Sequence, residues 1–229
     1  MSFDEAMRLT ELLLGFAFAQ QSLEHLVARR NEQIIFIPRL FLSILLMLGF
    51  QTGWVILLLM LIGLMQLYRF QGPYNGGSDR MSLLILFCLS LKTLAPDQYW
   101  RELAVGYLAL QLVLSYFISG WVKVVNQEWR SGRALCDVFQ FSAYPVSESL
   151  RSLAQSPCLL FTMAWCVMIF ELVFPVALFS QESLIVALII AAMFHFSNAC
   201  FFGLNRFFWI WISGYPSIIW FQGRVIGVF

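Results

Sequence analysis

Long apolar runs separated by short polar stretches set the rhythm of the chain. Runs at about 34–50, 53–69, 81–95, 101–123, 157–180, 183–203 and 205–222 each approach the roughly 20 apolar residues a helix needs to cross a hydrocarbon core about 30 Å thick. The first and third are short, so tilt and neighbouring helices must help them. An eighth run, about 8–27, carries LLLGFAFA and then gathers Gln20, Gln21, Glu24 and His25 toward its end. It reads as a helix that crosses with a polar face turned inward or lies in the interface. The pattern therefore predicts an all-α, polytopic transmembrane helical bundle of about seven to eight spans.

The longest interruption, about 124–156, is polar at first and then mixes apolar and charged residues. That mixture predicts short amphipathic interfacial helices. Pro145 limits the first, and Ser147 or Ser149 caps the second. Neither a repeat nor a low-complexity linker divides the sequence, so 1–229 reads as a single transmembrane domain.

Composition strengthens the membrane reading. Hydrophobic residues make up 60% of the chain, aromatic residues 17% and charged residues 12%, against about 25% charged in ordinary soluble domains. A soluble fold would have to leave large apolar patches in water. Asp4 and Glu5 stand where a secretory signal would carry basic residues, so no cleaved signal peptide is expected. Arg29, Arg30, Arg39, Arg69, Arg80, Arg130, Arg133, Arg151 and Arg206 fall in or beside one set of loops, and mainly Arg101 and Arg224 in the other. The richer side is expected to be cytoplasmic, which fits a cell inner membrane. A formal charge of +1 points to no nucleic-acid partner. The five cysteines have neither CxxC nor paired spacing, so no disulfide framework and no metal centre are expected.

An ionisable group inside an apolar run is costly and has to find a partner or a wet cavity. Lys92, Lys123, Glu171 and His195 are the residues of this kind that stand out. For either lysine the plain alternative is a snorkelling helix-end residue whose ammonium reaches the headgroups. A desolvated lysine, unlike an arginine, can give up its proton and act as a base. Glu171, four residues before Pro175, is too deep to reach water along its own side chain and must be protonated or paired. His195 shares a helix face with Asn198, so the two can form a small polar cluster; a histidine hydrogen-bonded between helices is the plain alternative. Gly120 permits a close helix approach, and Trp129 with Gly132 marks the exit from the membrane. The turn around Gly72, Pro73, Asn75, Gly76 and Gly77, with Ser78 or Asp79 as helix cap, offers backbone amides to an anion or is a tight turn between spans.

Several of these stretches, in order, resemble the vitamin K-dependent γ-carboxylase-like membrane domain, also called the HTTM (horizontally transferred transmembrane) domain. YFISGWVK followed by W-x-x-G, Tyr116 to Gly132, is similar to the family's Y-F-I-x-G-x-x-K and W-x-x-G, with Lys123 at the lysine position. FHFSN and FFGLNRF, Phe194 to Phe207, resemble the family's F-H-x-x-N and the aromatic and glycine run after it. Glu171 stands where the family places an acidic residue on the preceding helix.

The resemblance implies a fold and a site. Lys123 would be a base acting on a quinol, Glu171 and His195 supporting catalytic groups, and Tyr116, Gly120, Asn198 and Asn75 part of the surface that receives a quinone or quinol. The chain departs from the carboxylases at Gly76-Gly77, where those enzymes carry an Asn-His pair, and the large soluble region that follows their membrane domain is not in this sequence. Glutamate carboxylation is accordingly not the expected activity. The reading carried forward is a non-catalytic structural or accessory subunit that docks on other integral membrane subunits within the lipid bilayer. The alternative is a membrane-embedded quinol-binding enzyme with Lys123 as base. A transporter is the third reading, disfavoured by the absence of inverted repeats and of matched broken helices.

Overall fold

A computed structural model describes residues 1–28, 33–69, 76–141 and 148–226. The described residues are helical nearly throughout and divide into two compact units. One unit holds Met1–Leu110 and Arg206–Val228, the other Gln111–Asn205.

The first unit contains α1 (Phe3–Ala28), α2 (Gln33–Leu48), α3 (Thr52–Arg69), α4 (Gly76–Leu94), the opening half of α5 (Gln98–Val125), and α11 (Asn205–Phe221) from Arg206 onward. α1 and α2 run antiparallel in intimate contact. A Cβ added to Gly15 would meet Met47 Cγ at 2.7 Å and Ser43 O at 3.0 Å. The last turn of α2 closes through Gly49 at φ 75°, with Gly49 N on Leu46 O (3.1 Å) and Phe50 N on Leu45 O (3.0 Å), a left-handed helix stop that glycine adopts without strain. Carbonyls at that end are also satisfied from outside, because Arg8 of α1 donates to Leu46 O at 2.9 Å and to Met47 O. A cation is the favoured occupant of a helix C-terminus.

Glu11 joins this polar end, accepting from Arg8 Nη1 at 3.3 Å and from Lys92 Nζ at 3.0 Å. Lys92 is therefore an interhelical partner of α1 rather than a snorkelling residue. α3 meets α4 through Gly53 and Gly63, where added Cβ atoms would lie 2.8 Å from Thr93 and from Leu83. Edge-on aromatic pairs, Phe3 with Trp220 at 5.2 Å and Phe16 with Trp209 at 4.6 Å, hold α11 against α1.

The second unit holds the rest of α5, the short helices α6 (Gln127–Arg130), α7 (Arg133–Phe141) and α8 (Glu148–Arg151), a 3₁₀ turn at Ser152–Gln155, α9 (Pro157–Val173), a 3₁₀ stretch Phe174–Phe179 and α10 (Gln181–Phe202). α7 is the amphipathic segment expected from the sequence. Its Phe139 is buried against Leu160 and Phe202, while Arg133 and Asp137 on its other side pair in the open. Ser149 lies inside α8, and Pro145 and Ser147 lie outside the described residues.

Among the described residues, three helical stretches, Gln98–Val125, Pro157–Phe179 and Gln181–Phe202, are long and apolar enough to cross a membrane. α2 and most of α3 are apolar but shorter. The polar-ended first run forms one unbroken helix. α4 begins at Gly76, so Ser78 and Asp79 sit in its first turn instead of capping it. Pro175 marks where α9 gives way to the tighter 3₁₀ stretch, as expected of a residue that supplies no backbone N–H.

Candidate functional site

In the second unit, Tyr116, Ser119, Gly120 and Lys123 recur at helical spacing along one face of α5. That face meets α9 where Glu171 projects. Gly120 makes the approach possible, since an added Cβ would lie 2.9 Å from both Glu171 Cβ and Leu172 N. With the two backbones this close, the side chains one turn away interlock.

Lys123 Nζ lies 2.6 Å from both carboxylate oxygens of Glu171. Ser119 sits between them. Its hydroxyl accepts from Lys123 Nζ at 2.8 Å and donates to Glu171 Oε1 at 3.1 Å. The side chains of Lys123 and Glu171 are only 16% and 3% exposed, so the pair is protein-enclosed and lysine snorkelling is not its role. Trp129 covers the ammonium at 5.3 Å from its ring centroid, a cation–π contact.

About two turns back from Lys123 along α5, the Tyr116 hydroxyl and His195 Nε2 of α10 are 2.8 Å apart and both residues are buried. The Tyr116 ring stacks on Phe174 at 4.2 Å and meets Phe170 at 6.3 Å. Three helices thus contribute two sets of polar contacts on one face of α5, Lys123–Glu171–Ser119 and Tyr116–His195.

Beyond Phe170 and Phe174, an apolar recess of about 270 Å³ is lined also by Val173, Ala177, Val186 and Ile190. Phe174, which stacks on Tyr116, is the wall shared by the recess and the Tyr116–His195 contact.

Not every expected residue joins. Asn198 is half-buried, and its backbone carbonyl accepts from Leu204 N at 3.3 Å in the cap closed by Gly203. No hydrogen bond links it to Lys123, Glu171 or Tyr116 among the described residues. Asn75 lies outside the described residues. Ser119 was not anticipated, although its place four residues before Lys123 on the same helix face is the signal that could have found it. Gly132 serves the turn after α6: its φ is 77°, and a Cβ there would lie 2.9 Å from Phe161 Cα. The glycine of W-x-x-G is thus fixed by backbone conformation and by space.

Fold and site together define a helical membrane protein with an enclosed ion pair between two of its longest apolar segments. The HTTM domain model matches residues 14–222, and the chain belongs to the HTTM domain family. No characterised protein and no solved structure gives a significant match.

Proposed function

We propose that this chain is an integral protein of the cell inner membrane, folded as one HTTM domain of seven to eight spans, that binds a quinol-type ligand and handles its proton. The observation that carries the reading is the bidentate Lys123–Glu171 pair at 2.6 Å, with the Tyr116–His195 hydrogen bond at 2.8 Å on the same face of α5. Such a pair in a water-poor interior can share its proton. When the carboxylate takes it, the amine of Lys123 is left neutral and able to accept another. Ser119, bonded to both partners, is placed to steady either arrangement. A quinol would supply an acidic hydroxyl and a ring that two-electron chemistry can act on. The apolar recess beside Phe170 and Phe174 offers such a ring an aromatic wall and an approach from lipid.

A second reading, an accessory subunit that docks on other membrane proteins, is favoured by one specific observation. Lys123 and Glu171 satisfy each other's charge, as a purely structural pair would. Exposed Ile185, Val186, Ile189, Ile190, Met193 and Phe196 on α10 would then face lipid or a partner helix.

The test is equilibrium binding of menadione and its reduced form to protein in nanodiscs, read by quenching of tryptophan fluorescence. The comparison is Lys123→Met/Glu171→Leu, which removes both charges together and so leaves no orphaned ion. Saturable binding by the wild type, weakened by about tenfold or more in the double variant, fits the quinol site; loss of one charge-assisted contact is worth that much. Equal titrations in the two proteins would transfer the case to the accessory reading.

A further inference from the structure

Where α5 begins, its first turns and the end of α11 line a cavity of about 520 Å³. Every residue of its lining belongs to the first unit. A π-helical turn, Gln222–Ile226, prolongs α11 and brings Arg224 to the rim. Wide turns of this kind are rare and occur mostly at functional positions.

The walls are apolar. Leu103, Tyr107 and Leu110 stand at helical spacing on α5, each about half exposed, in a stripe that leads away from the helix start. Gly106 leaves room beside them, because a Cβ added there would touch nothing nearer than the Phe221 ring at 3.6 Å among the described residues. Tyr99, in the first turn of α5, and Trp220 add aromatic surface.

The rim is charged. Arg224 Nε donates to Glu102 Oε2 at 3.2 Å, and Gln98 Nε2 donates to Glu102 Oε1 at 3.1 Å. With the Arg224 and Glu102 side chains 59% and 25% exposed, a pair this open adds little to the fold. Both partners have capacity to spare. Each carboxylate oxygen accepts a second hydrogen bond, and the two terminal nitrogens of Arg224 make none among the described residues.

We infer that this groove holds one phospholipid of the phosphatidylethanolamine class, with its phosphate on Arg224, its ammonium on Glu102 and an acyl chain along Leu103, Tyr107 and Leu110. Charge selects the headgroup. A headgroup bearing both signs meets a partner for each, whereas an anionic lipid would press against Glu102 and a cationic amphiphile against Arg224, where the reduced dielectric of a membrane boundary strengthens repulsion. A primary ammonium also donates N–H groups to the carboxylate, which a trimethylated one cannot do. The chain follows from the walls, since an apolar cavity of this size with a few convergent polar groups suits an amphiphile.

The test uses the full chain in dodecyl maltoside. Thermal unfolding is titrated with dioleoyl phosphatidylethanolamine, phosphatidylcholine or phosphatidylglycerol, and native mass spectrometry scores the lipid retained. The wild type should respond to phosphatidylethanolamine at about tenfold lower concentration than to phosphatidylglycerol, the difference expected of one charge-assisted hydrogen bond. Glu102→Gln should erase that preference, and Arg224→Gln should weaken the response to every lipid. Gly106→Leu, which fills the groove, should do the same. Arg101→Gln, an exposed position outside the lining, should leave the response intact.

Equal responses to phosphatidylethanolamine and phosphatidylglycerol, no response to either, or a preference that survives Glu102→Gln overturns the site. An equal response to phosphatidylcholine overturns the N–H contact assigned to the ammonium. A dimer that retains no lipid and dissociates in Gly106→Leu assigns the groove to a second copy of the chain and overturns the lipid. If Arg101→Gln acts as Arg224→Gln does, the effect is one of net charge and the site falls.

Discussion

Gly120 of α5 stands directly against the backbone that carries Glu171, so close that a methyl group on it would come within 2.9 Å of Leu172 N. The charge pair one turn further along depends on that contact. Backbone cannot retreat as a flexible side chain can. Gly120→Ala is expected to push α9 away, lower stability by about 1–3 kcal/mol as overpacking does, and lengthen the Lys123–Glu171 contact. Thermal unfolding in detergent would show the loss. An unchanged midpoint would mean that the helices are not this close.

Breaking the ion pair from one side should cost more than removing it whole. Lys123→Met leaves the carboxylate of Glu171 enclosed and unpaired, a change worth roughly 3–5 kcal/mol for a buried pair. Lys123→Met/Glu171→Leu should recover most of that loss. Additive effects in a double-mutant cycle would show that the two side chains do not interact.

Two glycines should respond in opposite ways. At Gly132 the backbone has φ 77° and an added Cβ would lie 2.9 Å from Phe161 Cα, so Gly132→Ala is expected to destabilise by at least the roughly 1–2 kcal/mol of the left-handed conformation. At Gly106, inside α5, the nearest atom to an added Cβ is Phe221 Cδ2 at 3.6 Å. Gly106→Ala should be neutral or stabilising by up to about 1 kcal/mol. Unfolding midpoints of the two variants against the wild type check both signs.

Tyr116→Phe removes the hydroxyl bonded to His195 and keeps the ring stacked on Phe174. The expected loss is about 1–3 kcal/mol, that of leaving one buried polar atom unsatisfied. A wild-type midpoint in this variant would show that the 2.8 Å contact contributes nothing to stability.

The parts of this molecule that lipid dictates could be read from its sequence, and the parts that depend on which helix meets which could not. The apolar runs at 101–123, 157–180 and 183–203 correspond to α5, α9 with its 3₁₀ extension, and α10, because length and hydrophobicity alone set such segments. Lys123, Glu171 and His195 stood out for the same reason, each being expensive in oil. Their pairings were not visible, since Lys123 to Glu171 spans 48 residues and Tyr116 to His195 spans 79.

Ser119 escaped notice because a serine within a helix ordinarily bonds back to its own chain, as Ser115 does to Leu112 O at 2.6 Å. Lys92 read as a snorkelling residue until Glu11, 81 positions away, emerged as its partner. Arg39 read as one loop-side arginine among several. Only the packing of α1 against α2 shows that Phe18 and Phe36 cover it. Helical spacing groups Asn198 with His195, yet among the described residues hydrogen bonding ties His195, and not Asn198, to α5.

The enclosed Lys123–Glu171 pair is the feature on which the functional reading depends, and amine labelling tests it most directly. The chain has only two lysines, Lys92 and Lys123, so acetic anhydride modification followed by peptide mass spectrometry reports each one separately. In nanodisc-embedded wild type, Lys123 should react at least about tenfold more slowly than a free lysine amine, because Glu171, Ser119 and Trp129 enclose its Nζ and the reagent reaches it only when those charge-assisted contacts open. Glu171→Gln should restore much of the reactivity. Rapid labelling of Lys123 in the wild type, unaltered by Glu171→Gln, would contradict the pairing and the proton-handling site built on it.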